Sequence, residues 1–315
     1  MYCKKIKLII AIVIVLKSAF AQKYSEKEIA IPAKPDSLYG TLIHSKNEYL
    51  CIFHPGSGPI NRDGNDNFIV ENNSIKKLSD SLEKHHISSF RYDKRGVGKS
   101  KNALESEDSV TIYTYVSDLL KVIDFFSKKP YKYKKIILIG HSEGALIATL
   151  AAQKSKKISK LILIAGAGYK ADTILKRQLS YLHENAKKII FPLIDTLASG
   201  KRVDNIPPTL SFFLRESVQN YIISWLSIDP AKELSKIKKP TIIIQGENDI
   251  QISVRDAERL KEFKKDAYLK IIPKMNHTLV DAPKERKENI ETYRNTELAL
   301  SKELVPTIVW FIKKK

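Results

Sequence analysis

Short β-branched runs alternate with longer helix-forming stretches along almost the whole of this chain. Residues 49–53, 87–92, 136–139, 160–165, 240–245 and 267–272 each read as a strand buried in a sheet. Between them, residues 72–83, 110–127 and 145–152 read as helices, and a last helix is expected over 298–314 despite Pro306. Residues 28–31 and 38–44 look like an antiparallel opening pair around a proline-containing turn. This alternation predicts an α/β fold, a mostly parallel twisted sheet with helices on both faces.

Two stretches depart from that rhythm. Residues 1–7 carry Lys4, Lys5 and Lys7, residues 8–16 are uninterruptedly apolar, and Ala19-Phe20-Ala21 supplies small residues for a cleavage site. The apolar run is far shorter than the ~20 residues of a spanning helix. The expectation is export, with a signal peptide over 1–21 removed after Ala21 and no stable membrane insertion afterwards. An N-terminal membrane anchor is the alternative, because Lys17 follows the apolar run closely. The second departure is 169–239, which has no convincing strand, many helix formers, and Pro192 and Pro207-Pro208 as breaks. It reads as a helical cap between two parts of one core, 22–168 and 240–315. Its aromatics, Phe212, Phe213, Tyr221 and Trp225 among them, would roof the sheet edge that follows the strand at 160–165.

Composition narrows the function classes. Loss of the leader removes Cys3 and leaves Cys51 alone, so no internal disulfide is possible, and its apolar strand makes it a core thiol. The formal charge of +19 falls to +15 without the four leader lysines. The excess reads as lysines spread over helix faces and loops, with no aromatic-interleaved basic motif. That favours a solvated surface loosely attracted to anionic envelopes or glycans, and no nucleic-acid partner is expected. No H-E-x-x-H or paired-cysteine spacing occurs, so neither a metal nor another cofactor is expected. Gly96-Val97-Gly98-Lys99-Ser100 lacks the spacing of a phosphate loop and reads as a turn beside the site.

The chemistry centres on Gly140-His141-Ser142-Glu143-Gly144, set between a strand and a small-residue helix. A serine on such a turn is a nucleophile elbow, where glycines on both sides let strand and helix approach. A serine hydroxyl needs a base to take its proton, and His277, on a loop after a strand, is the best placed of seven histidines. His141 is expected to pack behind the elbow, His85 and His86 to face solvent, and His54 to shape a nearby loop. Asp249, after the strand at 240–245, is the candidate carboxylate that orients the imidazole; Glu247 and Asp281 are rivals. The oxyanion needs preorganised donors: the backbone N–H of Glu143 and that of Ser57, or failing that Gly58. Arg62-Asp63-Gly64-Asn65 reads as a structural turn.

These segments together carry a resemblance. His54-Pro55-Gly56-Ser57-Gly58-Pro59, Arg91-Tyr92-Asp93-Lys94-Arg95-Gly96, the elbow, Gln245-Gly246-Glu247-Asn248-Asp249 and Pro273-Lys274-Met275-Asn276-His277 resemble the corresponding loops of the α/β-hydrolase superfamily, in a bacterial esterase branch close to the serine aminopeptidase-like hydrolases. The order serine, acid, histidine is the family's; Pro55 departs from it, standing where many members run histidine straight into glycine. The resemblance implies a serine hydrolase, foremost a carboxylesterase for small to medium acyl esters working through an acyl-enzyme. A peptidase or amidase with the same triad, and a catalytically silent binding protein on the same scaffold, are the alternatives.

Overall fold

Among the described residues, eight strands join into one sheet in the order β1-β2-β4-β3-β5-β6-β7-β8. The computed structural model describes residues 26–45, 47–66, 68–204 and 206–314, without the side chains of Thr209 and Phe212; the expected signal peptide lies outside the described residues. The strands are β1 (Glu26–Pro32), β2 (Ser37–Ile43), β3 (Tyr49–His54), β4 (Ser88–Tyr92), β5 (Lys135–His141), β6 (Ile158–Ile164), β7 (Thr241–Gly246) and β8 (Tyr268–Ile272). Only β2 runs against its neighbours, pairing antiparallel with β1 and β4; every other pair is parallel.

Side chains alternate across this sheet and feed two cores. On β5, Ile136 and Leu138 face one core and Ile137 and Ile139 the other. The first core is covered by α2 (Ile112–Ser127), α3 (Glu143–Lys154), α8 (Pro230–Ser235) and α9 (Val254–Phe263). The second is covered by α1 (Ser74–Glu83) and by α11 (Leu304–Lys313), which follows the short α10 (Arg286–Glu291). In α3, Ala148, Ala151 and Ala152 are fully buried, so the helix lies directly on the strands. Pro306 sits in the first turn of α11, where a missing N–H costs no helical bond. Cys51 is buried in β3, and burial pushes its thiol pKa up.

Between β6 and β7 lie α4 (Ala171–Gln178), α5 (Glu184–Ala198), α6 (Ser211–Leu214), α7 (Gln219–Leu226) and α8, with no strand among the described residues. This insertion has a small core of its own around Leu197, Leu214, Ile222 and Leu226. Pro192 does not break it as expected; the residue lies inside α5. The ring is exposed, so the helical bond it removes leaves a carbonyl where water can reach it.

The turns expected at 62–65 and 96–100 lock to each other through charge. Arg62 donates to the Asp93 carboxylate from its backbone N–H, Nε and Nη2 at 2.8, 3.0 and 2.7 Å. Arg91, two residues before Asp93, donates in return to Asp63 at 2.8 Å. Ser100 Oγ donates to the Asp93 carbonyl, and the Lys99 N–H to its carboxylate, wrapping the glycine turn around that residue. The Asp93 and Arg62 side chains are 4% and 11% exposed. Removing one partner of such a buried pair costs about 3–5 kcal/mol, because the other charge is left in a poorly solvated place. Arg62→Met should therefore lower unfolding stability by about that amount in urea titration. Glu28→Gln, which removes the exposed partner on the far side of Arg62, should leave the midpoint close to that of the parent.

Candidate active site

Ser142 links the end of β5 to α3 with φ 56° and ψ −124°, a backbone conformation that costs a non-glycine residue on the order of 1–3 kcal/mol. The surrounding backbone holds it there. Its N–H donates to the Ile164 carbonyl of β6 at 2.9 Å, and its carbonyl accepts from the Ala145 N–H at 3.0 Å. A Cβ on Gly140 would lie 2.3 Å from the Gly144 carbonyl oxygen, and one on Gly144 2.2 Å from that of His54. Both glycines are thus required by close backbone approach. The helix start leaves the Glu143 N–H without a helical acceptor, pointing away from the helix body.

Asp249 and His277 follow β7 and β8 and meet at the same sheet edge. His277 Nδ1 and Asp249 Oδ2 lie 2.8 Å apart. Asp249 Oδ1 accepts from the N–H groups of Gln251 and Ile252, and Oδ2 also accepts from Gln245 Nε2. Burial raises the Asp249 pKa, but the neighbouring imidazole and the Ile252 and Gln251 N–H groups outweigh burial and leave it below the ordinary carboxylate value. The two loops are joined: Asn248 N–H donates to the Met275 carbonyl, and a Cβ on Gly246 would lie 2.1 Å from that oxygen. The rivals sit elsewhere. Glu247 is exposed and faces Lys284, and Asp281 is exposed and accepts from Ser301 Oγ.

His141 differs from its expected place behind the elbow. Its Nε2 donates to the His277 carbonyl at 2.8 Å, and the two rings lie 4.8 Å apart. Residue 141 therefore ties the histidine loop to the residue beside Ser142. Burial, with His277 adding to it, lowers the His141 pKa to about 3, so the ring stays neutral as this donor.

The 54–58 loop closes the site. Gly56 is buried against Ser142, where an added Cβ would lie 3.1 Å from the serine Cβ and 3.6 Å from Oγ. Ser57 and Gly58 follow it and are exposed. Pro55 carries no N–H and offers no donor; its carbonyl packs on Gly144. His54 is buried at the end of β3, with Nδ1 2.7 Å from the Tyr92 hydroxyl.

Sequence reasoning missed Lys94. Its Nζ donates to the carbonyls of Gly56 and Gly58 at 2.5 and 2.7 Å, with the side chain fully buried. Lysines are among the residues least often buried, so no periodicity marks this one. Burial lowers its pKa to about 8, against the attraction of Glu143. Glu143 is itself buried, and burial raises its pKa despite Lys94 and a bond donated by the Tyr221 hydroxyl. Tyr221 belongs to α7, so the insertion touches the residue that follows the serine. Trp225 stacks on Tyr221 and packs into the core, whereas Phe213 is 63% exposed. Tyr221, one of the aromatics expected to roof the serine, contacts an elbow side chain. Among the described residues no cluster of metal-ligating side chains occurs, and no helix is long and apolar enough to cross a membrane.

Comparisons agree with this architecture. The family model Serine aminopeptidase, S33 matches residues 71–232, just over half of the chain. The esterase EstD of Thermotoga maritima is 24% identical over 268 residues, which cover 82% of this chain and 61% of the relative. The chain thus spans less than two thirds of that relative's length. Two solved structures share the fold: the Pyrococcus furiosus esterase Pf2001, at TM-score 0.60 and 18% identity over 92% of this chain and 91% of that one, and the proline iminopeptidase of Mycobacterium smegmatis, at TM-score 0.61 and 13% identity over 91% and 97%. With the elbow, the sheet order and the family match in agreement, the chain belongs to the serine aminopeptidase S33 family and has the α/β-hydrolase fold.

Proposed function

We propose that this chain is a carboxylesterase for small to medium acyl esters, exported by its signal peptide, with Ser142 as nucleophile, His277 as base and Asp249 as the orienting acid. The Asp249–His277 pair, tied through His141 to a strained serine, is the observation that carries the reading. The esterases among its relatives favour the substrate class.

In this reading Ser142 Oγ attacks the ester carbonyl while its proton passes to His277 Nε2. Asp249 accepts from Nδ1, fixes the tautomer and stabilises the imidazolium. The N–H groups of Glu143 and Ser57 receive the oxyanion, and Lys94 holds the Ser57 peptide by the carbonyls on both sides of that residue. The intermediate collapses, the alcohol leaves with the proton from His277, and water then attacks the acyl-enzyme by the same route. The reaction needs no cofactor.

Ser142→Ala should abolish both ester hydrolysis and labelling by a fluorophosphonate probe while leaving the circular dichroism spectrum intact. Labelling at the parent level would overturn the assignment. A substrate panel then separates the chemistries: aminoacyl arylamides turned over faster than acyl esters would make the enzyme a peptidase.

Asp249→Asn should lower kcat by roughly 10⁴, because the imidazole loses its acceptor and its fixed tautomer. Glu247→Gln and Asp281→Asn should stay close to the parent rate, and the reverse pattern would move the acid elsewhere.

Lys94→Met should reduce kcat by about 10²–10³, the effect of losing one well-placed oxyanion donor, with a smaller change in KM. The ammonium is the form that binds both carbonyls most strongly, and it loses its proton as pH rises through about 8. The parent should therefore lose rate above that pH, and this alkaline limb should be absent from Lys94→Met.

A further inference from the structure

A mostly parallel sheet has two chemically different edges, and here they differ sharply in charge. The edge at the carboxyl ends of the parallel strands carries Ser142, Asp249 and His277. The opposite edge is built from residues 44–48, 84–87, 128–134, 155–157, 236–240 and 264–267, joined by Lys314 at the end of α11. Among the described residues these segments hold thirteen lysines and two carboxylates, Glu48 and Asp266. Eleven of those lysines are exposed. The connectors at the serine edge, leaving out the helical insertion, run over 33–36, 55–73, 93–111, 165–170, 247–253 and 273–303. They hold thirteen basic and sixteen acidic side chains. The positive excess is therefore concentrated on one edge, not spread over helix faces and loops as the sequence suggested.

Helix C-termini favour a cation, and several of these lysines follow helices. One cation in the last turn meets that need, yet the segment after α2 carries Lys128, Lys129, Lys132 and Lys134, all exposed and without an ion pair among the described residues. Two aromatic side chains stand on the same edge. Tyr268, which opens β8, and Trp310 of α11 meet edge to face at 5.2 Å and are 39% and 47% exposed. Lys314 Nζ lies 4.6 and 4.7 Å from their ring centres. Tyrosine and tryptophan beside lysines match the headgroup layer of a bilayer, where amphipathic rings sit and anionic lipids attract cations. The first described residue also lies here: Glu26 pairs with Ile43, which pairs with Ser89 at the start of β4. The apolar run at 8–16, flanked by Lys7 and Lys17, thus precedes a strand that begins on this edge.

We propose that this edge docks the protein on an anionic phospholipid bilayer, with Tyr268 and Trp310 seated among the headgroups and the serine edge turned to solvent. The inference does not depend on the esterase reading. The exported form, from residue 22 onward, is sedimented with vesicles of pure phosphatidylcholine and with vesicles containing about one third phosphatidylglycerol, at low and high salt. The leader is left out because Lys4, Lys5, Lys7 and Lys17 would themselves favour the anionic vesicles, so the reading is the difference between the two vesicle types. The parent should bind the anionic vesicles at least about tenfold more tightly at low salt and lose that preference at high salt. Combining Lys128→Glu, Lys129→Glu, Lys132→Glu and Lys134→Glu should remove the preference, and Trp310→Ala should weaken binding, both with hydrolysis of a soluble acetyl ester unchanged. If the combined variant fails to fold by circular dichroism, the parent's salt titration and Trp310→Ala decide. Equal binding to both vesicle types, or a folded combined variant that keeps the preference, overturns the proposal. So does tighter binding of a single-stranded oligonucleotide than of the anionic vesicles, which would make the edge a nucleic-acid surface.

Discussion

Three stretches of backbone converge at residue 142, and the site depends on how closely they approach. The end of β5 passes beneath the first turn of α3 with only Gly140 between them, and the His54–Pro55 peptide passes over Gly144. A side chain at either glycine would collide with main chain, which cannot rotate away as a flexible side chain can. The strained serine is therefore held by main-chain packing and by two main-chain hydrogen bonds. Its hydroxyl is presented by rigid elements, as the proposed role of nucleophile requires.

The loops around it pose the opposite difficulty. A segment such as Gly56-Ser57-Gly58 has no apolar side chain to bury, so packing cannot fix it. Its carbonyls are the available handles, and a buried ammonium grips two of them. The adjoining turns are fixed in a similar way, Arg62 on Asp93 and Arg91 on Asp63. Burying charge is costly in itself, and these groups are tolerated because each finds several partners at short distance. Close to the site, polar struts do the work that apolar packing does in the two cores.

Much of this was legible in the sequence because it rests on local rules. Strands such as 136–139 are β-branched and short, the elbow needs small residues on both sides of its serine, and the residues proposed as a triad each follow a strand. What escaped depends on partners distant in the chain. Lys94 looks like any turn lysine until Gly56 and Gly58 fold over it, and His141 reads as a ring packed behind the elbow until the His277 loop arrives 136 residues later. Pro192 reads as a helix breaker from its chemistry alone; that it sits on an exposed helix face is a property of tertiary packing. The one-sided charge escaped too, because the segments that carry it come together only through the sheet order.

The Tyr221–Glu143 contact makes the insertion part of the hydration balance of the site. Glu143 is a buried acid whose second oxygen finds no donor among the described residues, and the phenol of α7 is the one side-chain donor that reaches its first. Lifting α7 would strip that donor and uncover the acid to solvent. Ionisation would then favour the lifted position as pH rises, whereas the protonated acid tolerates the covered one. The residue that follows the serine thus has its solvation set by a side chain of the insertion, through one phenol–carboxyl bond.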